Sequence, residues 1–153
     1  VLERVRNLLS AEFPKGLTIL RDYDVSAPPI EGDKEQLIQV FLNLMKNAAQ
    51  AMTQLIQAER AEITLKTRIA RQVTIQRQIC RTALRVDVID NGPGIPEAIR
   101  EKVFYPLVTG REEGTGLGLS LVKNYVEQNG GAIEVESEPG RTDFVLFFPL
   151  GKH

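Results

Sequence analysis

Hydrophobic positions recur along the chain with two periods, and each change of period predicts the end of an element. Leu2, Val5, Leu8 and Leu9 share one face of a helix over residues 1–12, closed by the stretch from Pro14 to Gly16. Residues 17–23 alternate and predict a strand, after which Pro28 and Pro29 break the chain. The longest helical pattern follows. Asp33 and Gln36 form a capping-box start, and Leu37, Val40, Phe41, Leu44, Ala48, Ala51, Met52 and Leu55 keep an apolar face as far as residue 57. Residues 61–69 and 72–79 predict two strands of a hairpin, and 82–90 a third, buried strand centred on Val86, Val88 and Ile89. A turn at 91–96, a short helix at 97–103 and a glycine-dense loop at 105–116 come next. Helical spacing returns over 117–128 through Leu117, Leu121, Val122 and Val126, and stops at Gly130 and Gly131. Strands at 132–137 and 142–148 flank a turn at Pro139 and Gly140. The mixture predicts an α/β (α+β) two-layer sandwich, with helices covering one face of a sheet.

Composition narrows the picture. The 153 residues are 42% hydrophobic and 25% charged, show no internal repeat, and suit one domain with a sizeable core. Nineteen basic against twenty acidic residues give a formal charge of −1, which removes the usual electrostatic argument for nucleic-acid binding. No apolar run approaches the roughly 20 residues of a membrane span. Cys80 is the only cysteine, so no intramolecular disulfide framework exists, and a reducing, cytoplasmic setting is expected. The chain begins at Val1 without a signal-peptide pattern, and is read as a piece of a longer protein. The one histidine, His153, is the last residue and is expected to be an inert tail.

Three stretches carry candidate chemistry. Asn43, Asn47 and Gln50 fall on one face of the long helix, in a segment otherwise strongly apolar. They form either a solvated face or a row of amide oxygens aimed into a cleft, where they suit Mg²⁺, a hard cation that takes oxygen ligands. Asp90-Asn91-Gly92-Pro93-Gly94-Ile95 follows a buried strand directly. Its carboxylate can accept a hydrogen bond from an exocyclic amine such as that of adenine, and Gly92 and Gly94 let backbone approach a flat ligand; the plain alternative is an ordinary turn. Gly114, Gly116 and Gly118 open a helix, and exposed amides at a helix start make an anion site, whereas a mobile linker rarely runs into a leucine-patterned helix. Neither the G-x-x-x-x-G-K-[ST] loop nor the dinucleotide fingerprint occurs.

The order and conjunction of these stretches resemble the ATP-binding catalytic domain of sensor histidine kinases. The resemblance covers nearly all of residues 15–150. Its N box is Asp33 to Met52, its G1 box Asp90 to Ile95, its F box centres on Phe104, and its G2 box is Gly114 to Leu119. Gly140-Arg141-Thr142-Asp143-Phe144 is similar to the closing G-x-T-x-F element. The run Phe104 to Arg111 leading quickly into Gly114, together with Leu20-Arg21-Asp22-Tyr23-Asp24 and a hairpin before the G1 box, is similar to the nitrogen-regulatory branch of that family.

The resemblance implies a Bergerat-type sandwich, a mixed and mostly antiparallel sheet under three main helices, spanning 1–153 as one catalytic domain. It implies ATP and Mg²⁺ as ligands, with Asn47 holding the metal and Asn43 supporting it or touching phosphate. Asp90 would read adenine, Gly92, Gly94 and Ile95 would line the base pocket, and Thr142 would back it. Thr109, Gly114, Thr115, Gly116, Leu117, Gly118 and Leu119 would form the lid around the phosphates, anchored by Phe104. Arg111 is either the lid cation near the γ-phosphate or an exposed charge, and Lys46 lies one residue round the helix from Asn47. Many family members carry lysine or arginine where this chain has Gln50, which weakens a phosphate contact there. The implied reaction is γ-phosphoryl transfer to a histidine on an upstream dimerisation domain. A response-regulator receiver domain then accepts the group, and a PII-type signal protein is an expected partner. Hydrolases of the same fold use a glutamate one turn before the metal asparagine. Here that position is Asn43, which cannot act as a general base. A non-catalytic nucleotide-dependent interaction module is the other alternative.

Overall fold

The computed structural model describes residues 1–28, 30, 32–100, 102–104 and 116–150. Helix α1 spans Leu2–Glu12 and strand β1 spans Leu17–Asp22. Helices α2 (Lys34–Ala51) and α3 (Thr53–Gln57) lead to the long strands β2 (Ala61–Ile75) and β3 (Gln78–Asp90). Then come α4 (Glu97–Arg100), α5 (Gly116–Gln128), β4 (Ala132–Glu138) and β5 (Arg141–Pro149). The sheet order is β1-β2-β3-β5-β4, parallel between β1 and β2 and antiparallel elsewhere. The expected mixed sheet under three main helices is what forms.

Alternation along the strands decides what is buried. Ile63 and Leu65 of β2, Val86 and Val88 of β3, and Phe144, Leu146 and Phe148 of β5 face the helices. There they meet Val5 and Leu9 of α1, Leu37, Val40, Phe41, Leu44 and Met45 of α2, and Val122 and Val126 of α5. Each helix contributes positions three or four apart, the spacing of a single apolar stripe.

Three boundaries differ from expectation, each for a physical reason. The long helix stops at Met52 (φ −109°, ψ 26°), so the apolar pattern reaching residue 57 belongs to two helices. The hairpin expected from strands at 61–69 and 72–79 does not form: residues 61–75 run as the single strand β2, residues 78–90 as β3, and the turn between them is Gln76-Arg77, inside the stretch expected as a strand, with φ 51° and 69°. Such a two-residue turn favours asparagine and glycine, so this one left no trace in composition. The short helix expected at 97–103 ends at Arg100.

The start of α2 is only partly local. Asp33 caps it through Oδ1, which accepts from the Gln36 amide at 3.1 Å. The reciprocal half of the expected capping box is absent. The Asp33 amide instead donates to Asn129 Oδ1 at 2.7 Å, while Asn129 Nδ2 donates to Gln36 Oε1 (2.9 Å) and to the Tyr125 carbonyl (2.7 Å). One asparagine thus ties the end of α5 to the beginning of α2.

The sheet face turned away from the helices carries charge. Asp87 and Asp143 lie there on the central strands β3 and β5, and both are buried. Arg85 Nε and Nη2 donate to Asp87 Oδ1 and Oδ2 at 2.9 and 3.0 Å, and Arg141 Nη2 lies 3.5 Å from Asp143 Oδ2. Asp143 Oδ1 is buried with no hydrogen-bond partner. Burial, then the neighbouring Asp87 carboxyl, pushes Asp143 up to about 7. Burial opposes ionisation of Asp87 too, but the Arg85 hydrogen bonds take it below the ordinary carboxylate range.

A carboxyl raised on folding is protonated in the native state while the unfolded chain has already lost its proton. It therefore subtracts stability as pH rises from about 4 to about 7. Urea midpoints of the wild type are expected to fall across that window, and Asp143→Asn, which cannot ionise, is expected to flatten the fall. An equal slope in the variant contradicts the assignment.

Candidate functional site

The functional stretches meet at the end of the sheet where β3 runs out. Asp90 is the last residue of β3 and pairs across the ladder with Thr142 of β5. It is 6% exposed. Its Oδ1 accepts from the Gly92 amide at 2.9 Å, and no donor among the described residues reaches Oδ2. Burial pushes its pKa up to about 6, partly offset by the Gly92 hydrogen bond, so the group is mostly ionised at neutral pH. A buried carboxylate with one oxygen engaged and the other open is an acceptor suited to an amine donor.

The loop after Asp90 is fastened on both sides. Asn91 Oδ1 accepts from the Glu62 amide (2.8 Å) and its Nδ2 donates to the Arg60 carbonyl (2.8 Å), which holds the loop to the beginning of β2. On the other side the Gly140 amide donates to the Gly92 carbonyl at 3.1 Å. The Ile95 amide donates to Ser137 Oγ at 2.8 Å, and Ser137 Oγ lies 2.8 Å from Thr142 Oγ1. Gly94 has φ 92°, and a Cβ there would lie 2.7 Å from the Glu138 carbonyl oxygen. A Cβ on Gly92 would meet Met52 Cγ and Asp90 Oδ1, each at 2.9 Å. Both glycines are therefore required by packing within the fold as well as by any ligand's approach.

Met52 also fixes where α2 ends relative to this loop. One and two turns earlier on that helix lie Asn47 and Asn43, both half-buried, whereas Gln50 is exposed. Lys46 points away to α1, with Nζ 3.4 Å from Glu12 Oε2. Helix α5 packs along α2 with its C-terminal end pinned at Asp33 and Gln36 through Asn129. The pair is therefore antiparallel. A rise of about 1.5 Å per residue brings the first turn of α5, at Gly116, alongside the stretch of α2 that carries Asn47. The positive end of the α5 dipole thus points to the end of the molecule where Asp90 sits. Leu119 packs on the core, and Phe104 stands edge-on to Phe144 with ring centroids 6.0 Å apart.

Asp90, Gly92, Gly94, Ile95 and Thr142 thus converge at one end of the sheet, with Asn43, Asn47 and the first turn of α5 on the helical layer beside it. Thr109, Arg111, Gly114 and Thr115 lie outside the described residues, as does His153, and for Gly116, Leu117 and Gly118 only the backbone course is described. Among the described residues no group of three or more His, Cys, Asp or Glu side chains could hold a metal, so a cation here would rest on amide oxygen and ligand phosphate. Asn91, Ser137 and Asn129 were missed. Asn91 lies inside the Asp90 to Ile95 stretch but carries no mark of its own, and Ser137 and Asn129 lie in no pattern that marks chemistry, although an asparagine just before a glycine pair at a helix end is a capping signal.

The sequence profile of the histidine kinase-, DNA gyrase B- and HSP90-like ATPases matches residues 32–152. The sensory histidine kinase/phosphatase NtrB of Salmonella typhimurium is 48% identical over 152 residues, and that of Rhodobacter capsulatus 44% over 153. These cover 99% and 98% of the chain but 42% of each relative, so the chain spans about two-fifths of the length of these proteins. Among solved structures, the nucleotide-free catalytic domain of histidine kinase ThkA superposes with a TM-score of 0.75 at 29% identity, covering 96% of this chain and 88% of that one. Full-length ShkA in complex with AMPPNP superposes with a TM-score of 0.73 at 28% identity, over 95% of this chain and 28% of its own. The chain belongs to the family of histidine kinase-, DNA gyrase B- and HSP90-like ATPases, and within it to the histidine kinase catalytic domains.

Proposed function

We propose that this domain binds Mg-ATP between the end of β3 and the first turn of α5 and donates the γ-phosphoryl group to a histidine on a separate dimerisation domain upstream. The observation that carries the reading is the buried Asp90 carboxylate, one oxygen on the Gly92 amide and the other with no donor among the described residues, on the strand pair that also holds Thr142. The AMPPNP complex of ShkA supports a nucleotide ligand. Asp90 accepts from the adenine amino group, Gly92, Gly94 and Ile95 border the base, and Thr142 backs it. The amides opening α5, with Gly114, Thr115, Gly116, Leu117, Gly118 and Leu119, receive the phosphates, and Thr109 and Phe104 belong to the same lid. Arg111 supplies positive charge at the γ-phosphate.

Asn47, supported by Asn43, fits a Mg²⁺ ion that keeps most of its waters and phosphate ligands. When bound, Mg²⁺ neutralises phosphate charge. The residues of this chain hold and orient the nucleotide, which is most of what phosphoryl transfer requires. The acceptor imidazole nitrogen bonds to the γ-phosphorus as the bond to the β-phosphate oxygen breaks, and ADP leaves. With Asn43 in place of a carboxylate no side chain on α2 activates water, so hydrolysis is not the outcome.

By the same reading the phosphoryl group passes to a response-regulator receiver domain, as supported by the complex of ThkA with its response regulator TrrA. The likeness to NtrB supports a nitrogen-regulatory role, and on that reading the domain works in the cytoplasm with a PII-type partner. Among the described residues no helix is long and apolar enough to cross a membrane.

Calorimetry with Mg-ADP is expected to show wild-type binding that weakens as pH falls through about 6, because protonated Asp90 loses its acceptor. Asp90→Asn is expected to bind at least about tenfold more weakly, a loss of roughly 1.4 kcal/mol, with no such pH step. Asn47→Ala is expected to weaken binding with Mg²⁺ present but little in EDTA. Unaltered binding in Asp90→Asn contradicts the assignment.

With the helical histidine fragment supplied in trans, phosphohistidine is expected to form with wild type and to vanish with Asp90→Asn or Asn47→Ala. Steady ATP hydrolysis by the domain alone is expected to be negligible. Rapid hydrolysis abolished by Asn43→Ala would instead mark an ATPase, and tight ATP binding without transfer an interaction module.

A further inference from the structure

We infer that the outer face of the β2–β3 ribbon is a docking surface for a protein partner with an acidic surface, with Ile79 as its apolar anchor and Arg71, Arg77 and Arg81 around it. The inference does not depend on the nucleotide reading. Its first support is charge segregation. Residues 66–85 carry six basic side chains and no acidic one, while the other thirteen basic and twenty acidic residues leave the remainder of the chain at −7. The near-neutral total conceals a basic arm on an acidic body.

The second support is how the cations are used. Arg6, Arg21, Lys46 and Arg141, together with Arg68 and Arg85 at the root of the ribbon itself, each have a carboxylate oxygen within 3.5 Å. Arg71, Arg77 and Arg81 are exposed and have no ion-pair partner among the described residues. Ile79 stands 74% exposed on the same ribbon, opposite Thr74 in the ladder. A large exposed apolar side chain among unpaired arginines has the make-up of a protein-binding patch, where arginine is enriched around an apolar centre.

The third support is rigidity. The β1 ladder ends at Asp22 opposite Lys66 and the β5 ladder at Pro149 opposite Ala83, so the ribbon projects beyond both neighbours. It is nevertheless latched. Ile75, Cys80 and Ala83 pack with Phe147 and Ala132, and Gln76 Nε2 donates to the carbonyls of Glu127 (3.0 Å) and Gly131 (2.9 Å). Gln72, with φ 55°, interrupts the ladder where the ribbon turns towards this contact. One face is spent on the body, and the other is presented ready-ordered, which lowers the entropy lost on association. The acidic remainder of the chain would repel an extended polyanion running past the ribbon, whereas a compact acidic patch on a folded protein meets the arginines alone.

The test is an amide chemical-shift titration of the isotope-labelled chain with a pentapeptide of one leucine flanked by two glutamates on each side. Shifts confined to residues 71–82 are expected, lost in the triple variant Arg71→Glu, Arg77→Glu, Arg81→Glu and reduced several-fold in affinity by Ile79→Ser. Both variants are expected to bind Mg-ADP like wild type, which establishes that they fold and separates this result from that of the nucleotide site. Shifts scattered over other surfaces, or unchanged in the triple variant, overturn the proposal. So does a short DNA duplex or an anionic vesicle that perturbs the ribbon more strongly than the peptide.

Discussion

Asp90 has to be charged to accept a hydrogen bond from a base, and it has to be buried to be selective about which donor it accepts. Those demands oppose each other. Burial alone drives the carboxyl toward its neutral form, and the Gly92 amide is the one group among the described residues that holds it back. That amide is in place only because the loop after Asp90 turns immediately. The turn in turn needs Asn91 on the Arg60–Glu62 backbone and Gly140, Ser137 and Glu138 on the other side. The site is therefore a property of three adjoining strands and their turns rather than of one motif.

A second constraint sets the opposite wall. Helices α2 and α5 must lie antiparallel if the first turn of α5 is to stand near Asn47. Their apolar stripes would tolerate several offsets, since Val122 and Val126 can pack against more than one set of α2 side chains. Asn129 removes that freedom by satisfying the Asp33 amide, the Gln36 amide oxygen and a carbonyl of its own helix at once. A buried or half-buried polar group with all its valences used is costly to displace, so it specifies register where packing does not.

Charge is handled differently on the two sides of the sheet. Apart from Thr67, whose hydroxyl accepts from the Asp24 amide, the helix-facing side is apolar up to Thr142 and Asp90 at its working end. The other side carries Asp87 and Asp143 under Arg85 and Arg141, where Arg85 keeps Asp87 charged while burial and Asp87 push Asp143 towards its neutral form. Further out Arg71, Arg77 and Arg81 have no such partner among the described residues, so the charge passes from internally compensated to uncompensated along these two strands.

Much of this was legible in the order of the residues. The apolar stripes of α1, α2 and α5 gave the helices, the alternation gave most of the strands, and the conjunction of Asn43 and Asn47 with Asp90 to Ile95 and the glycines from 114 marked the chemistry. Those features are local, because period, capping and loop composition act over a few residues. What the sequence could not show depends on partners far away in the chain. The end of α2 at Met52 sets that side chain against Gly92, 40 positions on. The Gln76-Arg77 turn, made without glycine, is held by Glu127 and Gly131. The raised pKa of Asp143 needs Asp87, 56 positions earlier, to be its neighbour. Sequence by itself determined which residues could do chemistry and in which elements they would lie. Tertiary structure alone decided which of them meet, because hydrogen bonds and burial depend on distance in space, and distance in space is set only when the sheet closes.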